Sequence, residues 1–316
     1  MSVASSLVTG ASGFIGTHLV ARLLSEGRRV TVLVRSSSVV PAEWRDRVRI
    51  IACDDFNERN LRRLVDTPVE AVFHLAACGV KPNHRDIDEM LRVNVGLPAV
   101  LVRLCAEWRA SMVMAGTFSE YRSPSTRTLV TEDSPLERDK LYGSSKAAGG
   151  LMAGAIARSC CVGFRLLRLF KVYGAGEAPH RLLPALVGGL TKREGVAMSA
   201  GTQVLDFVYI DDAVEAMLRA DGHCREAGGI AIWNVATGQG HSVREFAEHV
   251  AAALQADVSL LGFGAVAMRK DDEPWFVGSP DLLRSELGWQ PSIGLEDGVR
   301  AAVAAFRRPS LRNISR

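Results

Sequence analysis

A chain of 316 residues with 47% apolar residues can bury a large core, and it fits either one large α/β unit or two coupled lobes. Its net charge of +3, spread over interspersed arginines and carboxylates, excludes the basic block that nucleic-acid binding would need. Met1–Ser6 shows neither a basic n-region nor a cleavable apolar stretch, no apolar run is long enough to span a bilayer, and the six cysteines show no C-x-x-C spacing. These features predict a cytoplasmic, reduced protein without a membrane segment, a disulfide framework or a metal site.

In chain order, short β-rich runs alternate with helical patterns through the first half. Strands are predicted at Ser6–Thr9, Arg29–Val34, Val48–Ala52, Ala71–Leu75, Ser111–Ala115 and Gly163–Leu169. Helices are predicted at Phe14–Glu26, stopped by Gly27, and at Ile87–Trp108 and Tyr142–Arg158. This alternation predicts an α/β protein with a doubly wound, parallel Rossmann-type sheet. Later come a helix at Leu182–Leu190, a strand at Val204–Ile210, a helix from Asp212 and a strand at Ile230–Val235. Ser242 with Glu245 forms a capping box opening a helix at Val243–Leu254, and Leu295–Phe306 is a last amphipathic helix before a frayed tail, Arg307–Arg316. We therefore expect residues 1–170 to form a nucleotide-binding domain, with 206–235 returning to it. Residues 171–205 and 236–316 would form a smaller, mainly C-terminal α/β substrate lobe.

Thr9-Gly10-Ala11-Ser12-Gly13-Phe14-Ile15-Gly16 follows the first strand and opens the first helix. Gly10 permits the tight turn, Gly13 lets backbone approach a pyrophosphate, and Gly16 allows close helix–sheet packing. The helix N-terminus then offers free N–H groups to the phosphates. The strand–turn–helix context makes this a dinucleotide site rather than a structural turn. The second strand ends on Arg35 where an acidic residue would bind the ribose of NAD, which favours NADP, with NAD as the alternative.

Tyr142 and Lys146 are four apart and share one face of a predicted helix. A phenol ionises near pH 10, and a nearby ammonium stabilises the phenolate, so the spacing predicts a tyrosine pulled down towards the working range of an acid/base catalyst. The wider pattern resembles the extended short-chain dehydrogenase/reductase family, in its sugar-nucleotide epimerase, dehydratase and reductase branch. The marks are the glycine turn, Asp54, Phe73-His74-Leu75-Ala76-Ala77, Asn94-Val95-Gly96 and Gly116–Tyr121. They continue with Tyr142-x-x-x-Lys146, Arg168–Gly174, Asp206–Asp212 and Arg269-x-x-Asp272-Glu273-Pro274.

The resemblance implies that Tyr142 is the general acid/base, that Lys146 lowers its pKa and binds the nicotinamide ribose, and that Thr117 holds the reacting sugar oxygen. It implies a cofactor set of Gly10, Ser12, Gly13, Phe14, Ile15, Gly16, Arg35, Asp54, Asp55, Leu75, Ala76, Ala77, Asn94, Tyr142, Lys146 and Val172, in which Asp54 contacts the adenine. Substrate contacts are implied at Thr117, Lys171, Arg181 and Arg269. His74, in an apolar strand, reads as a packed core histidine.

Members of the family that dehydrate sugars carry an Asp-Glu pair directly after the threonine. Phe118 and Ser119 stand there, and Glu120, one step further along, is expected to face elsewhere, so dehydration is disfavoured. Reduction of a 4-keto (6-deoxy) nucleotide sugar with NADPH is favoured, with epimerisation as the alternative and reduction of a non-nucleotide ketone as a second one. Three departures bear on substrate binding. Lys171 replaces a usual asparagine, Leu205 replaces an arginine that often binds the diphosphate, and Arg122 replaces the usual glycine after Tyr121. The family also implies a homodimer through helices Ile87–Trp108 and Tyr142–Arg158 packed as a four-helix bundle.

Overall fold

The computed structural model describes residues 3–80, 85–268 and 273–307. The strands in chain order are β1 (Ser5–Thr9), β2 (Arg29–Val34), β3 (Val48–Ala52), β4 (Ala71–His74), β5 (Ser111–Thr117), β6 (Phe164–Leu169) and β7 (Lys171–Tyr173). They continue with β8 (Val196–Met198), β9 (Val204–Leu205), β10 (Phe207–Tyr209), β11 (Ile230–Val235), β12 (His241–Ser242), β13 (Leu261–Phe263) and β14 (Trp275–Phe276). The helices are α1 (Phe14–Ser25), α2 (Glu58–Leu64), α3 (Ile87–Met90), α4 (Leu97–Trp108), α5 (Leu141–Ser159), α6 (Leu182–Thr191), α7 (Ile210–Ala227), α8 (Val243–Leu254), α9 (Asp281–Leu287) and α10 (Leu295–Phe306).

Seven strands form one parallel sheet in the order β11-β6-β5-β4-β1-β2-β3, the doubly wound arrangement expected from the alternation. Alternation along each strand feeds two cores, one per face. Val8, Val32, Phe73, Val113 and Leu167 pack on one side with Leu19 and Leu23 of α1 and Met217 of α7. Leu7, Leu33, Val72, Met112 and Leu166 pack on the other with Leu101 and Leu104 of α4 and Ala157 of α5. The strand order reverses at β1, which has β2 on one side and β4 on the other, so a crevice opens at their C-terminal ends.

Three small sheets, β10-β7, β12-β9-β14 and β13-β8, build the later part of the chain. The strand expected at Val204–Ile210 is broken in two at Asp206, and the helix expected from Asp212 begins at Ile210. The break follows from Asp206 itself, whose buried carboxylate accepts from Thr237 N (2.9 Å), Thr237 Oγ1 (2.7 Å), Gly238 N (3.0 Å) and Gly278 N (3.3 Å). Ser242 and Glu245 form the reciprocal capping box of α8. The expected helix 87–108 is continuous, but its Leu91–Gly96 segment is a π-turn. Helices α2 and α9, seven residues each, were too short to show a period in the sequence. The tail from residue 308 lies outside the described residues, and no described helix is long and apolar enough to cross a membrane.

Candidate active site

The glycine turn leaves β1 at Gly10, which has a left-handed φ of +67° and whose missing Cβ would lie 2.6 Å from Ala76 N. Only glycine lets the turn sit on the segment after β4. A Cβ on Gly16 would lie 2.3 Å from Gly10 O, so the first turn of α1 packs directly against the loop. Gly13 caps α1 without any side-chain hydrogen bond, leaving the amide groups of the first turn free for an anion. The residues present therefore fit a dinucleotide pyrophosphate. Phe14 meets His18 edge-on, and His18 Nε2 lies 2.8 Å from Ala175 O, tying the turn to the loop after β7.

Arg35 is exposed, with Glu89 3.8 Å away. Beside it, Asp54 accepts the Ser36 N–H at 3.0 Å, and the Ser36 hydroxyl, with that amide, holds its carboxyl below the ordinary range. Asp55 instead binds Asn57. The strand expected to reach Leu75 ends at His74. His74 is fully buried, 2.7 Å from Thr9 Oγ1, and burial with the nearby Lys146 charge drives its pKa down to about 3. It is a neutral core residue, as its apolar strand suggested. Asn94 is buried in the π-turn. Its side chain donates to Cys78 O (2.9 Å) and Ser145 Oγ (2.9 Å) and accepts from Cys78 N (2.8 Å). It thus joins the loop after β4 to α5, and a Cβ on Gly149 would lie 1.9 Å from its carbonyl oxygen.

Thr117 ends β5, and Tyr142 and Lys146 lie on α5, which packs against that strand and the turn after it. Thr117 Oγ1 accepts from Ser119 N (3.2 Å), which leaves the hydroxyl hydrogen free to donate. Gly143 lets α5 approach, since a Cβ there would meet Ser119 O at 2.0 Å. The turn into α5 is shaped by Glu137 Oε1, which accepts the N–H groups of Arg138 and Asp139 at 2.8 Å and Lys140 at 3.3 Å. Lys146 is buried and donates from Nζ to Ala115 O at 2.8 Å. Burial pulls its pKa down and Glu120 opposes this.

One sequence expectation is reversed here. The Tyr142 phenol is not pulled down but pushed up to about 12, first by burial and then by the Glu120 carboxylate, with Arg181 opposing. The Lys146 ammonium is turned onto a backbone carbonyl, so the protein alone presents a protonated phenol.

Lys171, in β7, and Arg181, at the start of α6, both act on Glu177, which the sequence reading missed. Burial raises the Glu177 pKa, while the Gly174 N–H at 3.2 Å and the two cations lower it. No spacing marks this glutamate, because the loop after β7 brings it back beside the site. Val172 is half-buried beside Lys171, and Leu205 lies in β9 opposite His241. Arg269 and Asp272 lie outside the described residues, while Glu273 of the same motif forms an ion pair with Lys140.

The fold and site define a dinucleotide-dependent enzyme of the extended short-chain dehydrogenase/reductase type. Residues 6–236 match the NAD dependent epimerase/dehydratase family, and the chain belongs to it. It is 30% identical to a UDP-glucose 4-epimerase of Mycolicibacterium smegmatis, over 96% of this chain and 99% of that one. It is 25% identical to a CDP-abequose synthase of Salmonella typhimurium, over 93% and 95% respectively. Among solved structures, MoeE5 in complex with UDP-glucose and NAD superposes with a TM-score of 0.83 at 30% identity, over 96% of this chain and 99% of that one.

Proposed function

We propose that this chain reduces a 4-keto (6-deoxy) nucleotide sugar, with NADPH as the preferred cofactor. The observation that carries the reading is the protonated phenol of Tyr142, together with Thr117 at the end of β5, whose hydroxyl keeps its hydrogen to donate. Glu120, whose carboxylate acts on Tyr142, is fully buried and bound by Arg168, so it is not available to eliminate water. Relatives named for nucleotide-sugar chemistry support the substrate class.

A bound nicotinamide would supply hydride to the sugar carbonyl carbon. Tyr142 gives its phenolic proton to the carbonyl oxygen, and Thr117 orients that oxygen through its hydroxyl. Lys146, on the helix face it shares with Tyr142, would with the amides of α1, the residues after β4 and Asp54 hold the cofactor. Lys171, Arg181 and Arg269 would supply the positive charge for the substrate phosphates. Arg35 favours the 2′-phosphate of NADP because no carboxylate stands at the end of β2 to take the ribose diol.

Epimerisation is the second reading, favoured by the 30% identity to a UDP-glucose 4-epimerase and by NAD in MoeE5. The test follows NADPH and NADH oxidation with a panel of 4-keto-6-deoxy nucleotide sugars, and product formation with UDP-glucose. Stoichiometric NADPH oxidation supports reduction, whereas product without net oxidation establishes epimerisation. Arg35→Asp is expected to shift the preference from NADPH towards NADH by roughly tenfold, about 1.4 kcal/mol. Exposed Ile87 and Leu91 on the helix 87–108, with Leu151 and Met152 on α5, form an apolar surface suited to a homodimer through these helices. Sedimentation as a monomer alone would remove the dimer.

A further inference from the structure

Glu120 closes the short turn after β5 with its side chain folded under the strand. Oε1 accepts the Thr117 N–H at 2.9 Å and Oε2 accepts the Arg168 Nε–H at 2.9 Å. Arg168 is held in turn by the Glu132 carbonyl at 3.3 Å and lies 4.5 Å over the Tyr121 ring. Tyr121 donates its hydroxyl to Asn234 Oδ1 at 2.7 Å, so the whole cluster is anchored to β11. The carboxylate fills the space beneath Gly116, where a Cβ would lie 2.5 Å from Oε1. A carboxylate this deeply buried persists only with matched charge and filled hydrogen bonds. Arg168 supplies both on one side. On the other, Lys146 donates to Ala115 O, two residues before Thr117 on the same strand.

We infer that Glu120 is a positioning residue of the reactive site: clamped by Arg168 beneath Gly116, it fixes the end of β5 that carries Thr117 and sets a negative charge under the strand that Lys146 grips at Ala115. The inference rests on the reductive reading, because a phenol that must donate a proton to a carbonyl oxygen has to begin protonated.

Among the described residues, the charges acting on Tyr142 are Glu120 from the turn after β5 and Arg181 from the start of α6. The titratable groups facing Lys146 are Glu120 and the neutral His74 of β4. Glu120 itself faces Arg168, Tyr121, Tyr142 and Lys146, with Glu132 beyond the guanidinium. Its carboxylate acts upward on both the phenol and the ammonium, opposing burial at Lys146 and adding to it at Tyr142.

The test removes the charge and keeps the shape, with Glu120→Gln. Phenolate absorbance is titrated in wild type and variant, and Tyr142→Phe in each background isolates the Tyr142 signal. The midpoint is expected to fall by about half a pH unit or more in Glu120→Gln. With a 4-keto nucleotide sugar, the alkaline limb of kcat should fall in parallel while KM stays within about twofold. If the lone amide leaves Arg168 unpaired and the variant fails to fold, Glu120→Gln with Arg168→Met removes both charges and is read the same way. An unchanged Tyr142 midpoint overturns the inference. The absorbance titration needs no substrate, so a protein that reduces nothing would refute the reductive reading and leave the role of Glu120 separately decided.

Discussion

Replacing Asp206 by asparagine sets two physical effects against each other at one buried carboxylate. Four donors converge on its two oxygens, and carboxylates so bound are often held ionised to low pH. Burial acts in the opposite direction and wins, raising the pKa from 3.8 to about 6. A folded pKa above the unfolded one means that the unfolded chain gains more from ionisation. The stability tied to this group is therefore fully present below about pH 4 and is lost as pH rises through about 6. A shift of about two units corresponds to roughly 3 kcal/mol at 1.36 kcal/mol per unit. Denaturant unfolding of wild type and Asp206→Asn between pH 4 and 7.5, read by fluorescence of the buried Trp233 and Trp289, isolates the effect. The wild-type advantage over the variant should shrink by roughly 3 kcal/mol across that window. A constant difference, or an advantage that grows with pH, would show that the four hydrogen bonds outweigh burial and would refute the reasoning.

Tyr142→Phe is expected to reduce turnover by at least about a thousandfold while cofactor affinity changes less than about threefold, measured by steady-state kinetics and by fluorescence titration with the dinucleotide. Gly10→Ala should abolish dinucleotide binding, because its Cβ would collide with the backbone of Leu75 and Ala76 at a left-handed φ, and unchanged affinity in that variant would count against the turn as the phosphate site. Asp221, fully buried against Arg28 at 2.7 Å and Ser111 at 3.1 Å, should lose about 3–5 kcal/mol of stability on change to alanine with little effect on cofactor affinity, because it sits at the far end of the strands from the crevice.

Much of this protein was legible before folding because its information is local. The glycine turn needs only the strand before it and the helix after it, and the capping box of α8 is complete within four residues. Long periodic helices such as α1 and α10 repeat their pattern often enough to be read, whereas α2, α9 and two- or three-residue strands such as β9, β12 and β14 do not. The break at Asp206 could not be read from its own neighbours, because its partners lie at 237, 238 and 278.

The site divides along the same line. That Tyr142 and Lys146 share a helical face follows from a spacing of four, and that Gly10, Gly13 and Gly16 form a dinucleotide turn follows from their order between strand and helix. The protonation of that tyrosine–lysine pair is another matter, since it depends on which distant side chains fold against it. Burial raises the Tyr142 phenol, Lys146 reaches a carbonyl on β5 instead of the phenol, and Glu120 is drawn inward by an arginine 48 positions along the chain. The sequence by itself determined the candidate residues of the site and the sheet that carries them, through contacts a few positions apart. Only the tertiary structure decided their charge, because desolvation and Coulomb forces act through space between segments the chain order keeps apart.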